Sequence, residues 1–453
     1  MFERVLIANR GEVAVRIIRA CRELGIETVA VFSTADRDAL HVRLADRAIH
    51  VGPPQGGESY LNVPSLVAAG TTTSCDAVHP GWGFLAENAD FARACEANGL
   101  VFIGPSAETI ETMGDKVRAK EAMAAAGLPL VPGSNGAAGL EQVEALAAST
   151  GFPLLLKAAA GGGGRGMRLV QSAEELADAF RTASAEAEAA FSHGALYVEK
   201  ALLGARHVEI QIVGDGEGGV RTFGERDCSI QRRHQKLIEE GPSPAVSPAV
   251  RAEMEEAARR ACSSLRYRGA GTLEFLLDPD GSFYFIEMNT RLQVEHPVTE
   301  VLTGVDLAQT QIRIAAGEGL PTAGRVELRG HAIEFRINAE DPTRDFLPAP
   351  GTVVRFRPPL GPGVRVDTHV FDGYAIPPYY DSLVAKVIVW AEDRPRALAR
   401  ARRALSELEL EGVPTTRELA MDILRTEEFA SGAYATTFLR DVRSKLPTLH
   451  EAA

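Results

Sequence analysis

Between Glu287 and Glu295 every second residue is polar: Glu287, Asn289, Arg291, Gln293 and Glu295. In an extended chain this spacing sends all of them to one side and leaves Ile286, Met288, Leu292 and Val294 facing mostly the other. The order suggests chemistry. An acid and an amide come first, then a guanidinium suited to a planar anion such as bicarbonate, then a carboxylate able to take a proton. Strand register brings in a second acid. Asp280-Gly281 reads as a two-residue hairpin turn between Leu273 to Asp278 and Phe283 to Met288, which sets Glu274 opposite Glu287. Carboxylates directly opposite one another repel. Their pairing makes sense around Mg²⁺, which prefers hard oxygen ligands and can complete its shell with nucleotide phosphates. Two solvated surface glutamates are the alternative, and Pro279 beside the turn leaves the register open.

A glycine-rich segment offers a second chemistry. Gly161-Gly162-Gly163-Gly164-Arg165-Gly166 satisfies the dinucleotide pattern, with Glu175 near the acidic position, but Met167-Arg168-Leu169-Val170 after it is strand-like, whereas a dinucleotide loop opens a helix. No Lys-Ser or Lys-Thr closes it as in a Walker A loop. Strand, glycine loop and strand make a hairpin whose backbone N–H groups can close over phosphate oxygens, with Lys157 at its root supplying positive charge. A flexible linker fits poorly between two apolar strands. Further basic groups lie in Gln231-Arg232-Arg233-His234-Gln235-Lys236, for which a solvated rim and an anion-facing role both remain open. In His331 to Asn338, Ile333, Phe335 and Ile337 alternate with Glu334, Arg336 and Asn338, which puts Arg336 on the polar face.

These residues need several elements to position them. Val5 to Ala8 reads as a strand, Gly11 opens a helix carrying Val13, Ile17, Cys21 and Leu24 on one face, and Thr28 to Phe32 is a buried strand. This resembles half of a doubly wound sheet, with Asp36 where a ribose-binding acid would sit, but the loop lacks the paired glycines of a dinucleotide site. Ala77-Val78 leads into a tight loop, His79-Pro80-Gly81-Trp82-Gly83-Phe84, which on its own reads as an ordinary turn. Ala-rich helices and a small inserted domain follow from about Gly114, and a large mixed domain runs from Gly204 to about residue 447. At 453 residues the chain exceeds the roughly 250 to 300 at which single cores stop growing, so several domains are expected.

Composition excludes several classes. With 48 Lys and Arg against 61 Asp and Glu, the net charge of −13 opposes a nucleic-acid partner. Cys21, Cys75, Cys95, Cys228 and Cys262 are scattered without a C-x-x-C pair, so free thiols are expected rather than a disulfide framework or a zinc site. No run of about 18 apolar residues suggests a membrane span. The start lacks a secretory pattern, so a cytoplasmic address is expected.

Taken together, IANRGE, HPGWGFL, KAAAGGGGRGM, ERDCSIQRRHQK, FIEMNTRLQVEHPVTE, FRINAED and PPYYDSLVAK resemble the biotin carboxylase family of the ATP-grasp superfamily, over essentially the whole chain. The resemblance implies an α/β and α+β multidomain fold: an N-terminal Rossmann-like (pre-ATP-grasp) domain over 1–113, an ATP-grasp lid region over 114–203, a catalytic core over 204–330 and a C-terminal domain over 331–447. It implies ATP-dependent carboxylation of biotin by bicarbonate through carboxyphosphate, the first half-reaction of an acetyl-CoA or other acyl-CoA carboxylase, as in fatty acid biosynthesis. Another ATP-grasp ligase forming an acyl or carbamoyl phosphate is the alternative; EHPVTE and FRINAED argue against it.

Carried over by resemblance, Lys116, Lys157 and Gly161, Gly162, Gly163, Gly164 and Gly166 would bind the triphosphate. Glu199, Lys200 and Leu202 would frame the adenine, with His207, Gln231 and His234 along the nucleotide. Glu274 and Glu287, with Asn289 beside them, would hold Mg²⁺ or Mn²⁺. Lys236, Arg291, Gln293 and Val294 would hold bicarbonate, Glu295 would deprotonate it, and Arg336 would stabilise the enolate-like ureido group of biotin. The family also implies a homodimer, with Arg19, Glu23 and Arg365 at the interface. Trp82 departs from a common tyrosine, and Ala201 from a hinge position that is often aromatic. No Ala-Met-Lys-Met biotin-attachment motif occurs, so biotin is expected on a separate carrier protein, with a carboxyltransferase as a further partner.

Overall fold

The computed structural model describes residues 1–134, 138–158, 167–191, 194–320 and 326–450. The N-terminal strands are β1 (Arg4–Ile7), β2 (Glu27–Ser33), β3 (Arg47–Gly52), β4 (Ala77–His79) and β5 (Val101–Phe102). All pair in parallel, in the order β3-β2-β1-β4-β5. Val5, Leu6 and Ile7 on the central strand are fully buried, as expected where both faces of a parallel sheet are covered. The strand order reverses between β1 and β4, where such sheets usually open a ligand crevice. Here the two loops bind each other instead, since Asn9 Nδ2 donates to the carbonyls of Pro80 (2.6 Å) and Trp82 (2.8 Å). Gly81, at φ +67°, is required by this closeness: a Cβ there would lie 2.8 Å from Asn9 Nδ2. Asp36 accepts from Arg10 (2.6 and 2.8 Å) and from the Tyr60 hydroxyl (2.6 Å), so it is a structural ion-pair partner.

The lid is a small antiparallel sheet of β6 (Leu154–Ala158), β7 (Met167–Val170) and β8 (Leu196–Lys200), in the order β7-β6-β8. Helices Leu140–Thr150 and Ala173–Phe191 cover it, closing a core of Val143, Leu154, Leu156, Val170, Leu176 and Val198. The Gly161 to Gly166 loop lies outside the described residues.

The largest element is an eight-stranded antiparallel sheet. Its strands are β9 (Arg206–Asp215), β10 (Val220–Arg232), β11 (Gln235–Gly241), β12 (Arg268–Leu277), β13 (Phe283–Asn289), β14 (His331–Asn338), Val364–Thr368 and Leu383–Ala391. Starting from β13 the order is β13-β12-β9-β10-β11-β14, then Leu383–Ala391, then Val364–Thr368. The β11–β14 ladder, Ile238↔Phe335 to Gly241↔Ala332, carries the sheet without a break from the segment before residue 330 into the one after it.

Two local features differ from the sequence expectation. Glu274 does pair with Glu287, but not through a two-residue turn. Leu277 pairs with Phe283, Gly281 N donates to Asp278 O (2.9 Å) and Asp278 N to Ser282 O (2.8 Å). Pro279 has no N–H to close a shorter turn, and Gly281, at φ +92°, takes the left-handed position of the longer one. A bulge in β13 between Phe285 and Glu287 then absorbs the extra residue and restores the pairing. The alternating stripe also ends early. β13 stops at Asn289, where Thr290 N turns to Glu87 (3.0 Å), and Glu295 is the N-cap residue of helix His296–Thr303.

All five cysteines are buried free thiols. Among the described residues no helix is long and apolar enough to cross a membrane.

Candidate active site

Alternation along β9 puts His207, Glu209 and Gln211 on one face, and β12 adds Glu274 to the same face beside Glu209. Glu274 is a hub. Its Oε1 accepts from Lys236 (2.8 Å), Asn289 (2.8 Å) and Gln293 (3.2 Å), while His207 Nε2 lies 2.8 Å from its Oε2. Lys236, on β11, reaches across the face to Glu209 (2.6 Å), Glu274 and Glu295 (2.6 Å). Arg336, on β14, donates to Glu239 (2.6 Å) and to the other oxygen of Glu295 (2.9 Å). Arg291 binds Glu87 (2.8 Å), Asn289 (3.0 Å) and Gln293 (3.2 Å). Beneath them the fully buried Arg226 ties Glu209 (2.6 Å), Gln211 (2.8 Å) and Thr299 (2.7 Å) together. Thus Arg291, Gln293 and Glu295 still converge although the chain is no longer extended; turns and a helix start supply the convergence.

Charge sets the state of each group. Burial alone would raise the Glu295 pKa, but Lys236, Arg336 and Arg226 outweigh it and hold the carboxyl well below its ordinary value. Burial likewise opposes the charge on Lys236, yet the facing carboxylates Glu209, Glu274 and Glu295 push its pKa well up. Glu274 is held low against burial by Lys236 and His207. Glu287 goes the other way: enclosure by the cleft walls and the Glu274 charge both raise it. Two opposed carboxylates are oxygen donors that a hard divalent cation accepts, and the unfavourable Glu274–Glu287 pairing is what such a cation would relieve; Asn289 beside them turns its Nδ2 to Glu274 and its Oδ1 to Arg291.

On the lid side, Lys157 and Lys120 both pair with Glu199, and the Tyr197 ring lies 5.1 Å from the Lys120 ammonium. Lys116 starts the helix Lys116–Ala125 that carries Lys120. Leu202 is half-buried just after β8, and Gln231 is buried opposite Lys236. His234 is exposed at the hairpin tip with φ +66°; enclosure and the charges of His207 and Lys157 lower its pKa. Lys200 does not join this group, because its ammonium caps the carbonyls of Thr150 (3.1 Å) and Phe152 (2.7 Å). The Val294 carbonyl accepts from Lys386 (2.9 Å). Trp82 donates to Glu12 (3.2 Å), and Ala201 is buried. Of the residues expected at an interface, Arg19 is exposed, Glu23 accepts from Gln309 (2.6 Å), and Arg365 pairs with Glu300 and Asp367 (both 2.7 Å).

Sequence reasoning missed Glu209, Arg226, Glu239, Lys120 and Glu87. The same period of two that revealed the Glu287 stripe runs through His207, Glu209 and Gln211 and could have found Glu209. Lys120 lies one helical turn from Lys116. Glu87 gives no local signal, since its partner Arg291 is 204 residues away.

A three-stranded sheet together with a large antiparallel one whose end strands β12 and β13 carry opposed acids is the architecture of the ATP-grasp class. Three family models match: the biotin carboxylase N-terminal domain over residues 1–110, the ATP-binding domain of the carbamoyl-phosphate synthase L chain over 115–323, and the biotin carboxylase C-terminal domain over 334–441. The chain is 55% identical to a biotin carboxylase of Nostoc sp., covering 97% of this chain and 99% of that one. It is 52% identical to one of Pseudomonas aeruginosa, covering 97% and 98%. Among solved structures it resembles a Campylobacter jejuni biotin carboxylase in an ATP complex (TM-score 0.91, 46% identity, 97% and 99% covered). It also resembles the biotin carboxylase domain dimer of Hydrogenobacter thermophilus 2-oxoglutarate carboxylase with MgADP and bicarbonate (TM-score 0.90, 47% identity, 98% and 99% covered). The chain belongs to the biotin carboxylase family.

Proposed function

We propose that this chain carboxylates biotin with bicarbonate at the expense of ATP, in the site formed by Glu274, Glu287, Arg291, Gln293, Glu295, Lys236 and Arg336. The observation that carries the reading is the convergence of Lys236 and Arg336 on the two oxygens of Glu295, beside the opposed Glu274 and Glu287. An ionised carboxylate between two cations is a proton acceptor next to an anion site. Its low pKa makes it a weak base while both cations bind it. Bicarbonate and the biotin oxygen would compete for Lys236 and Arg336, and each donor withdrawn raises the basicity of Glu295.

Held by Lys236, Arg291, Gln293 and the Val294 backbone, bicarbonate gives its proton to Glu295. Its oxygen then attacks the γ-phosphorus of ATP, forming carboxyphosphate and releasing ADP. Glu274 and Glu287, with Asn289 beside them, would hold Mg²⁺ or Mn²⁺, which neutralises phosphate charge. Carboxyphosphate breaks down to CO₂ and phosphate, phosphate takes the ureido proton, and the nitrogen attacks CO₂ while Arg336 offsets the negative oxygen of biotin. Lys116, Lys157 and the Gly161 to Gly166 loop would cover the triphosphate, and Glu199, Leu202, His207, Gln231 and His234 would line the nucleotide. Lys200 serves this pocket through its backbone, its ammonium being committed elsewhere.

The segments divide at 113, 203 and 330, the last two sharing the large sheet. The biotin arrives on a carrier protein and passes to a carboxyltransferase, the enzyme acts in the cytoplasm, and two copies associate through the faces bearing Arg19, Glu23 and Arg365. ADP release with bicarbonate and free biotin tests the reading. Biotin-dependent turnover is expected; turnover with an amine acceptor and none with biotin would replace it with a carbamoyl- or acyl-phosphate ligase.

A further inference from the structure

Behind Arg336 lies a second pair of acids that the reaction scheme does not use. Glu239 on β11 and Glu334 on β14 are direct cross-strand partners, and both side chains are fully buried. Glu334 shares its strand face with Arg336, and Arg336 is in turn paired with Lys386 on the next strand. One oxygen of Glu239 accepts from Arg336 Nε (2.6 Å). Its other oxygen and both oxygens of Glu334 accept no hydrogen bond from a described residue. Two adjacent buried carboxylates cannot both stay ionised cheaply, least of all with three oxygens unpartnered.

We propose that Glu239 is a positioning residue for Arg336, and that Glu239 and Glu334 hold one proton between them, so that Arg336 faces one negative charge from this pair rather than two. The inference rests on reading Arg336 as the biotin-facing group. The groups around the pair make the balance specific. Arg336 and Lys236 face Glu239 from β14 and β11, and Glu295 faces it from the start of helix His296–Thr303. Glu334 meets Lys386, Glu239, Arg336 and Glu295. Lys386 is itself shared with Glu12 (3.2 Å) and Asp367 (3.8 Å), which leaves Glu334 little compensation. Burial raises Glu334 well above its ordinary value and moves Glu239 up to about 7, with the Glu295 charge adding to the rise. Glu334, with neither oxygen bonded and Glu239 opposite it, is therefore where the shared proton rests. Glu239 is ionised above about pH 7 and gains a proton as pH falls through it, loosening its hold on Arg336.

The test combines infrared spectroscopy with biotin kinetics. The full-length enzyme well above pH 7, where Glu239 is ionised, is expected to show a buried protonated-carboxyl band that Glu334→Gln removes; an undiminished band in that variant overturns the shared proton. Glu239→Gln is expected to raise KM for biotin about tenfold with KM for ATP unmoved, and to abolish the fall in kcat/KM for biotin below about pH 7, while Glu239→Asp restores part of both. Wild-type biotin kinetics and an intact acid limb in Glu239→Gln overturn the positioning role. Arg336→Ala separates the two readings. Normal biotin kinetics there would remove the biotin-facing assignment, whereas an impaired Arg336→Ala beside an unaffected Glu239→Gln would remove only this inference. The infrared result stands in either case.

Discussion

The large sheet and the lid hold charge in opposite ways. Lys236 is bound by Glu209 from β9, Glu274 from β12 and Glu295 from the helix start after β13, and Arg336 by Glu239 on β11 and the other oxygen of Glu295, so long strands fix every partner but Glu295. On the lid, Lys120 and Lys157 share the single carboxylate of Glu199 and remain 28% and 23% exposed, Lys120 on the helix Lys116–Ala125 and Lys157 on a strand of five residues. Preorganised charge on a rigid face suits a step whose transition state must find its partners already in place. A lightly held cation suits capture, because it exchanges one partner for an arriving phosphate at little cost. The proposed chemistry therefore sits on the sheet and the grip on the lid.

Three substitutions would break or sharpen this contrast. The largest effect is expected of Glu295→Gln, which keeps the shape but not the base: kcat should fall by about 10²–10⁴ in steady-state assays while KM for ATP stays within about twofold. Loss of ATP binding would mean that the two regions are not separable. Next is the rigidity of the sheet itself. Glu240 on β11 accepts from His331 (2.6 Å), Arg394 (2.7 and 2.9 Å) and the Tyr434 hydroxyl. Burial would raise its pKa, but His331 and Arg394 overcome it and bring the carboxyl down to about 2 from 4.5. A depressed carboxyl stabilises the fold above its unfolded pKa and loses that contribution as pH falls through the folded one. Urea unfolding of Glu240→Gln should therefore show a loss of about 3 kcal/mol near pH 7, and the difference from wild type should close between pH 4.5 and about 2. The smallest effect belongs to the lid: Lys120→Ala should raise KM for ATP by no more than about fivefold, under 1 kcal/mol, with kcat unchanged.

What could be read in advance divides along similar lines. The Glu274–Glu287 pairing was legible because a hairpin ties residues close in sequence, and it survived a wrong turn length only because the bulge at β13 cancelled the error. The convergence of Arg291, Gln293 and Glu295 was legible as chemistry but not as geometry, since the strand ends where Thr290 finds Glu87, a partner from the first domain. Arg336 was legible on its polar face, yet its partner Glu239 was not, because that contact spans 97 residues and follows from which strands become neighbours. Asp36, whose reading as a ribose acid the missing paired glycines already opposed, and the Lys200 ammonium are claimed by partners distant in sequence, Tyr60 and the carbonyls of Thr150 and Phe152. The parallel N-terminal sheet was partly visible in its apolar strands and helix, and a large mixed domain was legible from Gly204 to about residue 447, but not that the β11–β14 ladder is what joins it across residue 330.

That continuity limits how the protein can be taken apart. Residues from 331 onward, expressed alone, would present the His331–Asn338 edge with its backbone donors and acceptors open, a template for self-association rather than a transplantable module. Recombining such enzymes by swapping C-terminal segments means matching a strand ladder as well as a loop. Arg336 is held by Glu239 on β11, a neighbour that the recipient chain would have to supply in the same register.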